Sequence, residues 1–279
     1  MQSVLSTYLF SSQPLGREML VATAGKGFGA IELFAATGHF NCRSPEQLRE
    51  FAGWLDSAGL RLHSVHGPQE RSGGRGREGS APISIAEIDK LRRIEAVDEM
   101  KWAMELAETI PYRYLVVHLG IGHEPLDPRH QEAAFNSLEY LVLFAKPRGI
   151  TIALENTPGE LAAPEALVDF LRQTRLHDLR LCFDVGHAHL GEGVEAGFDW
   201  MAPYAVTTHI HDNRGEHDDH LVPFDGAIPW EATVRKLRTA PVELPFVLEL
   251  KEPAPGAWSG VLDRAGAARE RLERLAASA

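Results

Sequence analysis

An eight-stranded parallel α/β barrel, the (β/α)8 or TIM-barrel class, is what this 279-residue chain predicts, on three observations. Short aliphatic or β-branched runs bounded by turn residues recur along the whole length, and segments with helical periodicity separate them. Strands that alternate with helix-sized connections pair in parallel, because a parallel crossover needs a connection of that size. The length also suits one closed barrel, which commonly takes ~250 residues. Residues 1–279 are therefore read as a single barrel domain.

In order, the strand runs are 3–9, 29–35, 61–66, 113–119, 150–155, 179–184, 206–211 and 245–250. The clearest helical segment is 84–110, where Ile85, Ile88, Leu91, Ile94, Val97, Met100, Met104 and Ala107 recur at three- to four-residue intervals and form one apolar stripe. Segment 45–58 opens on the start signal Ser44-Pro45, and 164–174 opens on Pro164. Segments 130–146, 229–238 and 258–276 complete the set. An open doubly wound sheet is the competing topology. Against it, no GxGxxG and no GxxxxGK motif follows the first run, and GKGFGA at 25–30 precedes a strand as a turn would. The Gly- and Arg-rich insert RSGGRGREGSAP at 71–82 follows the third run, at the catalytic mouth of a barrel, as either an irregular surface loop or a lid.

Composition narrows the function. A net charge of -11 and a pI near 5.6 argue against a nucleic-acid binder, which carries a basic face. Cys42 and Cys182 form no CxxC pair, which excludes a disulfide framework and a thiolate zinc site. No basic lead precedes an apolar stretch at the N-terminus, and no apolar run is long enough to cross a membrane. The expectation is a soluble, cytoplasmic protein without a membrane partner.

Four of the runs end in a metal-ligating side chain: Glu155 in TIALEN, Asp184 in LRLCFDVGH, His209 in VTTHIHDN and Glu249 in FVLELK. Parallel strands present their C-terminal residues around one ring, so residues distant in sequence converge there. Acids are seldom fully buried unless paired or ligated, yet Glu155, Asp184 and Glu249 each follow apolar residues. An ion network with Arg180, Arg214 or Lys251 is the competing explanation. His66, His118, His187, His211, Asp218 and His220 also lie at or just beyond run ends. Any one of these histidines reads equally well as a hydrogen-bonded core residue, whereas the whole set points to metal. Three carboxylates with one imidazole suit Mn²⁺, Mg²⁺, Co²⁺ or Zn²⁺, and the further histidines favour zinc at adjacent positions. His209 and His211 lie two apart on one run and face the same way. Trp54, Phe34, His39 and Trp230 are candidates for a pocket wall or for plain core.

The succession HGP, VVH, ALEN, FDVGH, HIHD, DDHLVPFDGAIPW and VLELK resembles the xylose-isomerase-like barrel superfamily over nearly the whole chain. That superfamily includes sugar-phosphate isomerases, ketose 3-epimerases, hydroxypyruvate isomerase and endonuclease IV. In its isomerase and epimerase branch, the resemblance implies that Glu155, Asp184, His209 and Glu249 hold one divalent ion. It further implies that Glu155 and Glu249 exchange a proton at carbon while His187 contacts the substrate oxygen. The expected activity is isomerisation or epimerisation of a small ketose or related polyhydroxy carbonyl compound through an enediolate. His211, Arg214, His39 and Trp54 are the substrate-binding candidates, with Arg214 one residue away from the place of an epimerase arginine.

The endonuclease IV branch uses nine ligands for three zinc ions, and His66, His118, Glu155, Asp184, His187, His209, Asp218, His220 and Glu249 match all nine. The chain departs from that nuclease by lacking its DTCH pattern and by reading DDH in place of DRH. A dehydratase of the dehydroshikimate or inosose type, on the same metal and base, is a further alternative. So is an inactive binding barrel, and barrels of this size often pair as homo-oligomers.

Overall fold

The computed structural model describes residues 1–36, 38–71 and 81–278. Eight strands, β1 (Ser3–Ser6), β2 (Ala30–Phe34), β3 (Arg61–His66), β4 (Tyr114–His118), β5 (Thr151–Glu155), β6 (Arg180–Asp184), β7 (Ala205–His209) and β8 (Phe246–Leu248), fall one within each expected run, give or take a residue. They form one parallel sheet in the order β7-β6-β5-β4-β3-β2-β1-β8. The ring closes just beyond β7, where Ile210 bridges Leu248 and its N–H donates to Val247 O at 2.8 Å.

Alternation along each strand divides the residues between two environments. Leu5, Ile31, Leu33, Val65, Leu115, Val117, Leu154, Phe183 and Leu248 join the large apolar layer under the helices. The opposite parity points into the barrel, where two small clusters, Val4 with Ala30 and Val247, and Val116 with Ala153 and Cys182, fill the lower level. Two residues further along stand Glu32, His118, Glu155 and Asp184 on the same strands and Glu249 just past the end of β8. The pleat therefore lifts these polar side chains from a packed floor into the C-terminal mouth.

Helices α1 (Arg17–Gly25), α2 (Pro45–Ala58), α3 (Lys90–Glu105), α4 (Pro128–Ala145), α5 (Pro164–Thr174), α6 (Val185–Leu190), α7 (Val194–Met201), α8 (Trp230–Leu237) and α9 (Trp258–Ser278) surround the sheet. Ser44, capping α2 through Gln47 N, and Asp127, capping α4 through Arg129 N and His130 N, fix their starts. The expected 84–110 helix begins only at Lys90, because Asp89 accepts from Leu91 N and Arg92 N and stops the helix there. Its buried face is Ala96, Met100, Ala103 and Met104, while Leu91 and Ile94 of the expected stripe are exposed. Ile85 is buried ahead of the helix, held by the Ser137 hydroxyl on its carbonyl at 2.7 Å. Helices α1, α6 and α7 lie outside the sequence expectation; each is nine residues or fewer and carries a glycine, too short for a helical period to stand out. Residues 72–80 of the 71–82 insert lie outside the described residues, and its flanks meet in an antiparallel bridge between Glu70 and Pro82. Among the described residues no helix is long and apolar enough to cross a membrane.

Candidate metal centre

Glu155 stands at the centre of the mouth, wholly buried at the end of β5. Its Oε1 lies 3.1 Å from His209 Nδ1 and 3.3 Å from His187 Nδ1. Its Oε2 lies 3.2 Å from His118 Nε2 and 3.4 Å from His66 Nε2. Yet neither oxygen is in hydrogen-bond geometry with any of them, and His118 Nε2 and His209 Nδ1 are likewise buried without a partner. An isolated buried carboxylate costs several kcal/mol, so atoms that crowd together without bonding one another are placed as ligands of a shared cation are. The donor set passes that test.

Two groups share this territory. In the inner one, Glu155, Asp184, His209 and Glu249 bring four ligand atoms within 4.8 Å of one another, with His66 converging on Glu155 and His209 from the β3 side. The outer group joins His187, His211, Asp218 and His220 within the same limit. His187 Nε2 and His220 Nε2 lie 3.2 and 3.1 Å from Asp218 Oδ2. His211 Nε2 lies 3.1 Å from Asp184 Oδ1, which joins the two groups. All nine positions matched in the sequence thus gather at one end of the barrel.

Local structure explains the aim of each ring. In His66, His187 and His220, Nδ1 sits 2.9 Å from a backbone carbonyl, of Gly67, Asn156 and Glu249 respectively, which leaves Nε2 facing the site. Asn156 fastens the end of β5 to β6: its Oδ1 accepts from Asp184 N and its Nδ2 donates to Asp184 O. Asp184 caps α6 by accepting from His187 N at 2.7 Å. The α6 backbone then runs so close to His211 that a Cβ on Gly186 would meet the ring at 2.0 Å. Asp218 and His220 ride on a long return loop gathered by Asp212, whose carboxylate accepts from Asn213 N, Phe224 N, Ile228 N and Trp230 Nε1 at 2.7–3.1 Å. Gly226 packs against that carboxylate, where a Cβ would meet Asp212 Oδ1 at 2.3 Å.

Among the described residues, histidines are the ion-pair partners of Glu32, Glu155, Asp184, Asp218 and Glu249. Arg180 instead donates to His177 O and Leu179 O, and Arg214 pairs with Asp219, so these arginines do not neutralise the cluster. Burial alone would raise the Glu155 carboxyl, but His209 and His118 hold it well below the usual carboxylate range. Burial likewise works against a charged His66, yet Glu155 outweighs it and lifts the imidazole to about 9. Burial, with Glu249 and Asp218 nearby, pushes the Tyr8 phenol up to about 12, so it stays a neutral donor.

A cleft of about 490 Å³ opens above the outer group, lined by His118, His187 and Asp218 together with the loops after β3, β4 and β5. His118 and His187 connect it directly to Glu155. None of the four residues expected at a substrate lines it. His211 is buried beneath, its ring stacked on His220 at 4.0 Å. His39 is buried with its ring nitrogens on Gln13 O and Thr7 Oγ1. Trp54 packs against the core from α2, and the Arg214 side chain is 65% exposed. Trp230 clamps the return loop, and Phe34 packs on His66 and Tyr8. The sequence reading missed Glu32, Asn156, Asp212 and Tyr8. For Glu32 a signal was present, since AIEL in β2 repeats the pattern of IALE in β5.

A barrel with a carboxylate and imidazole cage at its C-terminal mouth defines a class, and the comparisons place the chain within it. The chain belongs to the xylose isomerase-like TIM barrel family, whose model matches residues 20–277. An uncharacterised protein of Sinorhizobium fredii is 27% identical over 240 residues, 80% of this chain and 77% of that one. Among solved structures, a D-tagatose 3-epimerase-like protein superposes with a TM-score of 0.77 at 22% identity, covering 99% of this chain and 97% of its own. The IolI protein with a bound zinc atom gives 0.78 at 16% identity, covering 100% and 99%. An E. coli 3-keto-D-glucoside 4-epimerase gives 0.75 at 13% identity, covering 98% and 100%.

Proposed function

We propose that this protein is a divalent-metal-dependent isomerase or epimerase of a small ketose or related polyhydroxy carbonyl compound. The observation that carries the reading is the inner group, in which two glutamates from the ends of β5 and β8, Glu155 and Glu249, meet with Asp184 and His209. Solved relatives named as sugar epimerases, and one with bound zinc, support it. Glu155, Asp184, His209 and Glu249 would hold Mn²⁺, Mg²⁺, Co²⁺ or Zn²⁺, an ion that supplies Lewis acidity to a carbonyl group.

The chain's own residues account for the proton. One of Glu155 and Glu249 removes it from the carbon beside the carbonyl, and the other returns it, on the opposite face for an epimerase. His187, lining the cleft and anchored through Nδ1 on Asn156, presents Nε2 to offset charge growing on the substrate oxygen. Tyr8, neutral and with its ring tilted against His220 at 5.0 Å, is a further donor at the mouth. The test is solvent deuterium exchange, followed by NMR, in unphosphorylated ketoses such as D-tagatose and D-fructose. Metal-loaded protein is expected to place deuterium at carbon 1 or 3, and Glu155→Gln and Glu249→Gln to lose that activity. Failure to exchange any ketose would count against the reading.

A second reading, zinc-dependent hydrolysis of phosphodiesters at abasic sites, is favoured by one observation: the inner group, the His66–His118 pair and three residues of the outer group, His187, Asp218 and His220, together match all nine positions of a three-ion site. It requires about three tightly held zinc ions and incision of abasic duplex DNA, in a protein whose net charge of -11 works against DNA.

A further inference from the structure

We infer that Glu32 is a positioning residue of the inner centre, holding His209 in the orientation that turns Nδ1 toward the ion; this rests on the metal-centre reading above. His66, His187 and His220 each keep Nδ1 on a neutral backbone carbonyl and present Nε2. His209 reverses both choices. Its Nδ1 faces Glu155, Asp184 and Glu249 at 3.1, 3.7 and 3.5 Å, while its Nε2 lies 3.2 and 3.3 Å from the two oxygens of Glu32.

Glu32 is wholly buried on β2, across the barrel from β7. Its Oε2 takes the Ser64 hydroxyl at 2.8 Å from the neighbouring β3, and its Oε1 has no hydrogen bond. A carboxylate sealed inside a barrel is expensive where a carbonyl or hydroxyl would satisfy one imidazole N–H. What the carboxylate adds is charge: it polarises the ring, makes the far nitrogen a stronger ligand, and fixes which nitrogen that is. Ser64 keeps the carboxylate from turning away. Glu32 touches neither the cleft nor the reacting atoms, so its action runs through His209.

The test is Co²⁺ titration of metal-free, full-length protein, read by the visible absorption of the bound ion and by competition with a chelating dye. Glu32→Gln keeps the shape and an acceptor oxygen but removes the charge. It is expected to weaken Co²⁺ binding by roughly 10- to 100-fold and to shift the absorption bands. Ser64→Ala is expected to weaken binding in the same direction by less. Unchanged affinity and spectrum in Glu32→Gln, whatever its melting temperature, would overturn the assignment while leaving the centre standing. If Glu32→Gln does not fold, unchanged affinity in Ser64→Ala overturns it instead. A wild-type protein that takes up no Co²⁺ would overturn the metal centre itself, and this role with it.

Discussion

The two ligand groups at the mouth differ in how they are built. The inner group hangs on strand ends: Glu155, Asp184 and His209 have fully buried side chains, and Glu249 is 4% exposed. The outer group has His211 just past β7 but otherwise hangs on a six-residue helix and a return loop, and its only carboxylate, Asp218, is 38% exposed. Strand ends are fixed by the ladder of a closed sheet, whereas a loop needs its own fastener, here Asp212. In the proposed reading this divides the labour: the inner group would hold an ion rigidly, and His187 and Asp218 of the outer one would meet what enters the cleft.

The comparison breaks hardest at Glu155, which both the inner group and the His66–His118 pair require. Glu155→Gln is expected to lower turnover by ~10²–10⁴-fold and to abolish metal retention, measured by exchange kinetics and metal analysis. The doubly changed Asp218→Asn and His220→Asn protein should keep its inner ion. Its turnover is expected to fall less, by about 10–100-fold, the scale of lost hydrogen bonds to charged groups. Equal damage from both changes would erase the distinction between the groups.

The fastener gives a third, smaller effect. Asp212→Ala strands four donors, and even partial rehydration leaves a loss of about 1–3 kcal/mol in stability by thermal or urea unfolding. Proteolysis within 213–229 is expected to accelerate, with the inner ion retained.

Acidity sharpens the contrast further. Metal-free protein carries a proton on His66, whose pKa is raised from 6.5 to about 9 by Glu155. That interaction adds stability that is complete below pH 6.5 and is lost as pH rises through about 9. Glu155 works in the opposite direction, adding stability above 4.5 that is lost as pH falls through its lowered value. Melting temperature of metal-free protein should therefore decline from pH 6.5 toward 9, while metal-loaded protein, its protons displaced, should not follow. Smallest of all, Arg214→Ala removes an exposed pair with Asp219 and is expected to change stability by under about 0.5 kcal/mol.

Much of the inner group was legible because each member ends an apolar run, and burial of an acid stands out against hydrophobic neighbours. Glu32 escaped because it lies inside its run, between Ile31 and Leu33, where strand period alone reveals its direction. The barrel could be read for a similar reason, since strand runs and helix-sized gaps alternate throughout. What could not be read depends on contacts between distant segments. The Asp212 clamp joins an aspartate to donors as far as 18 residues away, and the burial of His211 and His39 depends on how loops fold over them. The extended stripe at 84–110 failed because local periodicity does not register an N-cap at Asp89.

The central claim is that a rigid inner centre holds a divalent ion. Its most direct test is metal content after exhaustive dialysis, for wild type and for Asp184→Asn, each first supplied with Mn²⁺, Co²⁺ or Zn²⁺. At least one ion per chain in wild type, lost in Asp184→Asn, is the predicted result. A wild-type chain that retains no ion under any of these conditions would contradict it.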